Sequence, residues 1–371
     1  MRLNILFLFM LLSGVANSQH MFLFIGTYTN TGSKGIYVYK FDPKTGKAEQ
    51  VSNTEGVVNP SYLTVAQNGK YVYAVNETNG DHPGQVSAFN FDKATGKLYF
   101  INQQLSGGDD PCYVSVNKSN KWLFVANYSG GSLSALAVNK DGSLAPAAQV
   151  IQHTGSSINK GRQEKAHVHS AVLSPAQDYL FTADLGMDQV VAYKFSLQQT
   201  KPLQEATMEP VSVTPGNGPR HLTFHPNAKW AYLSQEMSGT VGFYKYANGK
   251  LTFAQSIATH PADFTGQPGS ADIHVSPDGK FLYASNRGKE NNLAIFSINQ
   301  TSGKLTLKGF QPAIGKTPRN FVIDPTGEYL LVANQDSDNI VIFKRNKLTG
   351  LLKETGEQIK LLRPVCLQFL Q

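Results

Sequence analysis

The sequence predicts an all-β, seven-bladed β-propeller with four antiparallel strands per blade, and three observations carry that expectation. A stretch of about eighteen residues recurs six times, beginning at Pro60, Pro111, Val168, Pro219, Ser270 and Pro318, mostly at roughly the fifty-residue period of a propeller blade. A seventh copy is split between the chain ends, PVCLQF from Pro364 and MFLFIGTY from Met21 to Tyr28. Pairing of the N- and C-terminal segments in one blade closes the ring and leaves no sheet edge open. Every unit also repeats the same order of short strands and turn residues, without helical periodicity.

The elements follow in order within a unit. An alternating inner strand such as Leu222-Thr223-Phe224 comes first, and a tight turn such as Pro277-Asp278-Gly279-Lys280 reverses the chain. A strongly apolar second strand follows, for example Phe281-Leu282-Tyr283-Ala284-Ser285, then a third such as Gln85-Val86-Ser87-Ala88-Phe89. The last hairpin carries glycine at Gly46, Gly96, Gly142, Gly249, Gly303 and Gly350, supplying the positive φ that such turns need. The unit around Ser196 to Pro202 lacks that glycine.

Composition narrows the class further. With 371 residues, 41% hydrophobic and 16% charged, the chain can bury a large core, and the repeat places residues 19–371 in one domain. Residues 1–18 read as a secretory signal: Arg2, the apolar run Leu3 to Leu12, and the small residues of Ala16-Asn17-Ser18. The expectation is an exported protein, periplasmic or secreted, with no stretch that spans a bilayer after signal cleavage. No cysteine follows the apolar run, so no lipid anchor is signalled. The net charge of +7 is scattered, without a basic run or aromatic-interleaved strip, which argues against nucleic acid and suits a small anionic ligand drawn into a basic funnel. Cys112 and Cys366 fall in blades that are not neighbours, beyond disulfide reach, and are expected to be free and buried. A monomer is expected.

The repeat also locates a site. In an antiparallel blade the start of the first strand lies beside the end of the second, on one face of the ring. The first of these positions holds Ser61, Cys112, His169, Arg220, Ala271, Arg319 and Val365 in the seven units. The second holds Glu77, Tyr128, Leu185, Glu236, Arg287, Gln335 and Tyr28. Charged and titratable types concentrate in three successive blades, and His169, Arg220, Glu236 and Arg287 should converge on the channel mouth. An arginine can pair with an anionic substrate group and another can stabilise an oxyanion, while Glu or His activates water. The same ring positions add Glu77, Arg319 and Gln335 as candidate substrate-binding residues, with His167 beside them.

Competing readings accompany each feature. Arg220 and Glu236 also suit a cross-strand ion pair that holds a blade together. His167 and His169 form a His-x-His pair of the kind that binds zinc, yet no third ligand stands at readable spacing, so neither metal nor other cofactor is expected. His221, His225 and His274 read as satisfied structural histidines, and Tyr62 and Tyr113 as either channel-lining or packing groups. No Gly-x-Ser-x-Gly elbow supports a covalent route. Two long loops, 152–166 and 259–270, enter the same face, the first carrying Lys160, Arg162 and Lys165 as an anion-binding rim.

The segments GPRHLTFHPNAKWAYLSQE, ADIHVSPDGKFLYASNR, GFQPAIGKTPRNFVIDPTGEYLLVANQDSDNIVIF and HVHSAVLSP resemble the seven-bladed propeller lactonase family. That family includes propeller-type 6-phosphogluconolactonases and, more distantly, a carboxymuconate-lactonising enzyme. The resemblance runs from Met21 to the C-terminus and is strongest between His167 and Phe343. It implies a carboxylic-ester hydrolase acting without metal on a sugar-acid lactone, anionic or polyhydroxylated. It also implies a His-Arg-Glu-Arg active set at His169, Arg220, Glu236 and Arg287. The clustering of these four residues on one face itself suggests that Arg287 holds the substrate, Arg220 stabilises the oxyanion, and Glu236 activates water with His169 as proton carrier or alternative base. The chain departs from the family in ending one strand Gln235-Glu236 instead of Asn-Glu, and in its leader, since phosphogluconolactone is made in the cytoplasm. A muconate-type lactonising cycloisomerase and a non-catalytic propeller binding a glycan, peptide or surface partner remain the alternative functions.

Overall fold

Alternation of apolar and polar residues over six-residue stretches produces half-buried strands, and glycine- and asparagine-bearing turns fold them into meanders. The computed structural model of the protein describes residues 20–370; the leader expected at 1–18 lies outside them. Seven antiparallel sheets surround a channel, each numbered here as a blade in ring order. Blade one combines Pro364–Phe369 with Met21–Thr27, Ile36–Phe41 and Ala48–Thr54, and the sheets that begin at Leu63–Val65, Pro111–Val116, Val168–Leu173, Pro219–Phe224, Ser270–Val275 and Pro318–Ile323 follow as blades two to seven. Blade four differs where its hairpin glycine is missing. Its outer strand is broken into Leu203–Glu205 and Val211–Ser212, both paired with Gln189–Phe195.

The core lies between blades. Second strands such as Trp230–Gln235, Phe281–Asn286 and Tyr329–Asn334 are buried along their length, so each sheet packs on both neighbours. The hairpin glycines serve this packing as well as the turn. Gly142 has φ +85° and Gly350 has φ +76°, and a methyl group on either would overlap an aromatic ring of the preceding blade, Tyr71 or Phe281. Tyrosine hydroxyls then pin blade to blade: Tyr283 donates to the Gly350 carbonyl at 2.7 Å, Tyr232 to Gly303 at 2.8 Å and Tyr73 to Gly142 at 3.2 Å.

Ring closure has a defined register. Leu23 faces Phe369, Phe24 faces Gln368, Ile25 faces Leu367 and Gly26 faces Cys366. The terminal strand also meets blade seven, where the Leu367 amide donates to Asn320 Oδ1 at 2.7 Å. Cys112 and Cys366 are free and buried, in blades separated by blade two.

Val365, Leu367 and Phe369 are all buried. At about 1.5–3 kcal/mol per apolar side chain, their loss approaches the whole net stability of an average domain, about 5–15 kcal/mol. Deletion of residues 364–371 should therefore lower the melting temperature of the entire ring in one transition. Calorimetry that found a parent-like transition would show that the seam does not hold the ring.

Candidate active site

Inner strands begin at the channel mouth and second strands end there, and a bulge at the start of most inner strands re-aims the side chain at that point. Pairing slips between Pro111 and Tyr113, Val168 and Ser170, Pro219 and Leu222, and Pro318 and Asn320. The residues left out of the pairing are Cys112, His169, Arg220 with His221, and Arg319. This local irregularity re-aims these side chains toward the mouth.

Glu236 is the centre of that ring. Its Oε2 accepts from Arg220 Nε at 3.1 Å and pairs with Arg287 Nη2 at 3.0 Å, and its Oε1 accepts from Arg162 Nη2 at 2.7 Å. Burial pushes the carboxyl up, but Arg287, Arg220, His169 and Arg162 outweigh it and hold it well below the usual carboxylate range. Glu236 is therefore ionised and a weak base. Burial, Arg287 and Arg319 bring Arg220 down to about 10, still protonated at neutral pH. Arg287 Nε also donates to the Gly269 carbonyl at 3.1 Å, at the end of the 259–270 loop. Each arginine retains N–H groups that no protein acceptor takes up.

Arg162 is the contribution of the other long loop. Its side chain is 47% exposed, against 2% for Arg220, and it also reaches the Tyr128 hydroxyl at 3.3 Å. The loop is anchored behind it by Gln163, whose amide donates to the Leu185 carbonyl at 2.9 Å, and by Ser157 on Asp188 at 2.6 Å. Arg162 thus forms a half-exposed cover over Glu236.

His169 is buried and held well below the usual imidazole range, by burial first and then by Arg220 and His221. It is neutral at pH 7. Its Nδ1 lies 3.7 Å from Cys112 Sγ, while Nε2 has no protein partner. Burial and Glu77 push the Cys112 thiol up, so this Cys–His contact is not an activated nucleophile. His167 is otherwise occupied. It stacks on Tyr128 at 4.5 Å, with Nδ1 on the Tyr128 carbonyl at 3.0 Å and Nε2 near Glu164 at 3.2 Å. The His-x-His pair accordingly presents no two free nitrogens, and no group of three His, Cys, Asp or Glu side chains among the described residues is placed to hold a metal ion.

Glu77 and Arg319 form a second group across the mouth. Glu77 accepts from the Tyr28 hydroxyl at 2.9 Å and from Ser61 Oγ, and Arg319 lies over the Tyr28 ring at 5.5 Å. Gln335 stands apart, with its amide on Asp336 at 3.1 Å.

Beneath the mouth lies a layer that single-residue reading of the histidines does not capture. His221 Nδ1 bonds Asp272 Oδ1 at 2.8 Å, His274 Nε2 bonds Asp272 Oδ2 at 2.9 Å, and Asn320 donates to the same carboxylate. His221 in turn touches Arg220 Nη1 at 3.3 Å and lies edge-on to His169 with ring centres 5.2 Å apart. Tyr62 and Tyr113 stack at 4.3 Å and close the channel against His221. Asp272 orients His221, and His221 supports the guanidinium of Arg220. The signal available in the sequence was the inner-strand position one residue below the mouth, where Tyr62, Tyr113, His221, Asp272 and Asn320 all fall.

The mouth thus holds Arg162, Arg220, Arg287 and Arg319 against the carboxylates Glu236 and Glu77, beside a neutral imidazole with one free nitrogen. Such a site can bind an anion or an oxyanion and accept a proton from water.

Comparison with known proteins identifies the family. The family model "Lactonase, 7-bladed beta-propeller" matches residues 22–369. A 6-phosphogluconolactonase from Formosa agariphila is 42% identical over 91% of this chain and 96% of its own. A crystal structure from Bacteroides fragilis superposes with a TM-score of 0.92 at 44% identity, covering 96% of this chain and 99% of that one. The periplasmic gluconolactonase of Pseudomonas aeruginosa gives a TM-score of 0.90 at 39% identity, over 94% of this chain and 99% of its own.

The buried imidazoles make stability depend on pH. His221 is brought from 6.5 down to about 4 by burial and Arg220, and His169 is lowered too. Below pH 6.5 the unfolded chain protonates these groups and the folded one does not, so stability falls between pH 6.5 and 4. His274, raised by Asp272 despite burial, acts oppositely: its contribution is full below 6.5 and is lost as pH rises through its folded value. At 1.36 kcal/mol per unit, His221 accounts for roughly 3 kcal/mol at most. Melting temperatures from pH 7.5 to 4.5 should fall less steeply in His221→Gln than in the parent, and equal slopes would remove His221 from this account.

Proposed function

The chain belongs to the seven-bladed β-propeller lactonase family, which makes it a carboxylic-ester hydrolase, and we propose that it opens a sugar-acid lactone by direct attack of water at the channel mouth, without a metal, outside the cytoplasm. The observation that carries this reading is the pairing of two arginines, fixed on Glu236 with N–H groups to spare, with a neutral His169 whose Nε2 is unspent.

In this mechanism the lactone carbonyl oxygen lies against Arg220 and Arg287. His169 Nε2 takes a proton from water as its oxygen bonds the carbonyl carbon, and the arginines stabilise the oxyanion. Collapse breaks the ring C–O bond, and His169 returns its proton to the leaving alkoxide oxygen. The hydroxy acid then ionises and releases one proton to solvent. Glu236 serves as the anchor of the arginines, because a carboxylate paired with three guanidinium groups is a poor base. Burial and then Arg220 depress His169 in the free enzyme; a bound anion offsets the charge of Arg220 and raises the basicity of His169 when substrate is present.

Two substrate classes follow from two observations. The leader-like residues 1–18 and the similarity to a periplasmic gluconolactonase favour an unphosphorylated sugar lactone. The excess of arginine at the mouth, together with the Formosa relative's name, favours 6-phosphogluconolactone. Kinetics on paired phosphorylated and unphosphorylated lactones decide between them.

Arg220→Ala should lower kcat/KM by about 10² to 10³, the usual cost of one oxyanion donor, in a protein that still folds. His169→Gln should cost at least as much. Glu236→Gln keeps an acceptor for the arginines and should cost less than His169→Gln; the reverse order would return the base to the carboxylate. Parent-like rates in all three would make the cluster structural. In the native host the mature chain should start at or near Gln19 by mass spectrometry, and retention of Met1 in the cytosol would overturn export.

A further inference from the structure

Next to the mouth, on the side away from Glu236, lies an open cleft of 430 Å³ between blades one, two and three, within the roughly 300–1,000 Å³ of small-molecule sites. It shares a wall with the mouth: Tyr28 and Glu77 line it, and both belong to the group that carries Arg319. Resting on the lactonase reading above, we infer that this cleft is a subsite for a neutral sugar attached to the lactone, so that the substrate class is glycosyl-aldonolactones.

The chemistry of the lining carries the inference. Arg363 lines the cleft, and its Nε, buried, has no acceptor among the described residues. Asn30 and His82, both exposed, line the cleft, and their side chains make no hydrogen bond among the described residues. Asn79 spends its amide nitrogen on both oxygens of Asp110, at 2.9 Å each, which leaves Oδ1 as an acceptor. Donors and acceptors therefore stand side by side, as hydroxyl groups require, since each hydroxyl both donates and accepts.

Charge decides against an anion here. Glu77 and Asp110 face Arg363, whose Nη1 is already paired with Asp336 at 2.9 Å. A phosphate in this cleft meets two carboxylates and one guanidinium with a nitrogen already paired, whereas a hydroxyl can donate to a remaining lone pair of a carboxylate oxygen that already accepts from Tyr28, Ser61, Asn79 or Ser129. The site is thus bipolar: arginine-rich at the Glu236 end, where charge develops during hydrolysis, and acidic and amide-rich at the other end.

The test compares gluconolactone with 4-O-glucosyl-gluconolactone. Neutral hydrogen bonds are each worth about two- to tenfold, so the glucosyl compound should show at least a tenfold higher kcat/KM. That ratio should fall toward one in the double variant Asn30→Ala/His82→Ala. A ratio of one or less in the parent, or a ratio that survives the double variant, overturns the subsite. Calorimetry with the products separates this from the lactonase reading. Glucosyl-gluconate should bind at least tenfold more tightly than gluconate, and the gain should vanish in the double variant. If no lactone is turned over but this difference holds, the subsite stands and the hydrolase reading falls; if the two products bind alike, the subsite falls whatever the rates.

Discussion

Every blade in this ring depends on a neighbour at each side, so the seam between Pro364–Phe369 and Met21–Thr27 governs the whole molecule. A four-stranded sheet with two apolar faces has no stable existence alone, and an open ring leaves two such faces and a strand edge to water. The seam also assembles chemistry. Tyr28 follows the N-terminal strand directly, and closure sets its hydroxyl on Glu77 and its ring under Arg319. The half of the mouth formed by blades seven, one and two exists only when the chain ends have met.

Within the mouth the dominant cost is burial of positive charge. Arg220 is almost wholly enclosed, near two further arginines, and an isolated guanidinium there would be strongly disfavoured. Two carboxylates make it tenable, Glu236 by direct contact and Asp272 through His221. Neither carboxylate is then available as a base. The arrangement resembles a binding site for negative charge with its counter-charge only partly supplied, so that ligand or oxyanion completes the balance. Replacing buried ion pairs by hydrophobic residues of similar size is often neutral or stabilising, so stability alone does not account for the cluster.

The blade count, the closing strand and the positions of the mouth residues were legible because the repeat is a ruler: any residue type that departs from its six counterparts is visible in the alignment of the units. Arg220, Glu236 and Arg287 were found that way and do meet. What stayed hidden was whatever the ruler does not measure. Arg162 sits in a loop without repeat partners, and only its charge marked it; its reach to Glu236 depends on the fold of 152–166. Asp272, His221 and Asn320 occupy equivalent positions, yet their hydrogen bonds run between blades, at a distance the within-blade register does not give. The broken outer strand of blade four was marked only by an absent glycine, and the second use of the hairpin glycines, as seats for aromatic rings, appears only once blades stack.

In the proposed mechanism the choice of base rests on counting partners. Glu236 has three cations on its two oxygens. Asp272 holds two imidazoles and an amide, Glu77 a tyrosine and a serine, and His167 a carbonyl and a carboxylate. His169 alone among these groups keeps a nitrogen without a protein partner. Its weakness as a base in the free protein comes from burial first and then from Arg220, which also contributes to the site's attraction for anions. In the proposed mechanism binding and activation are one electrostatic event: negative charge brought in by the substrate, or developed on its carbonyl oxygen, offsets the arginine field that adds to burial in keeping the imidazole neutral, and makes proton transfer from water more favourable as the transition state forms.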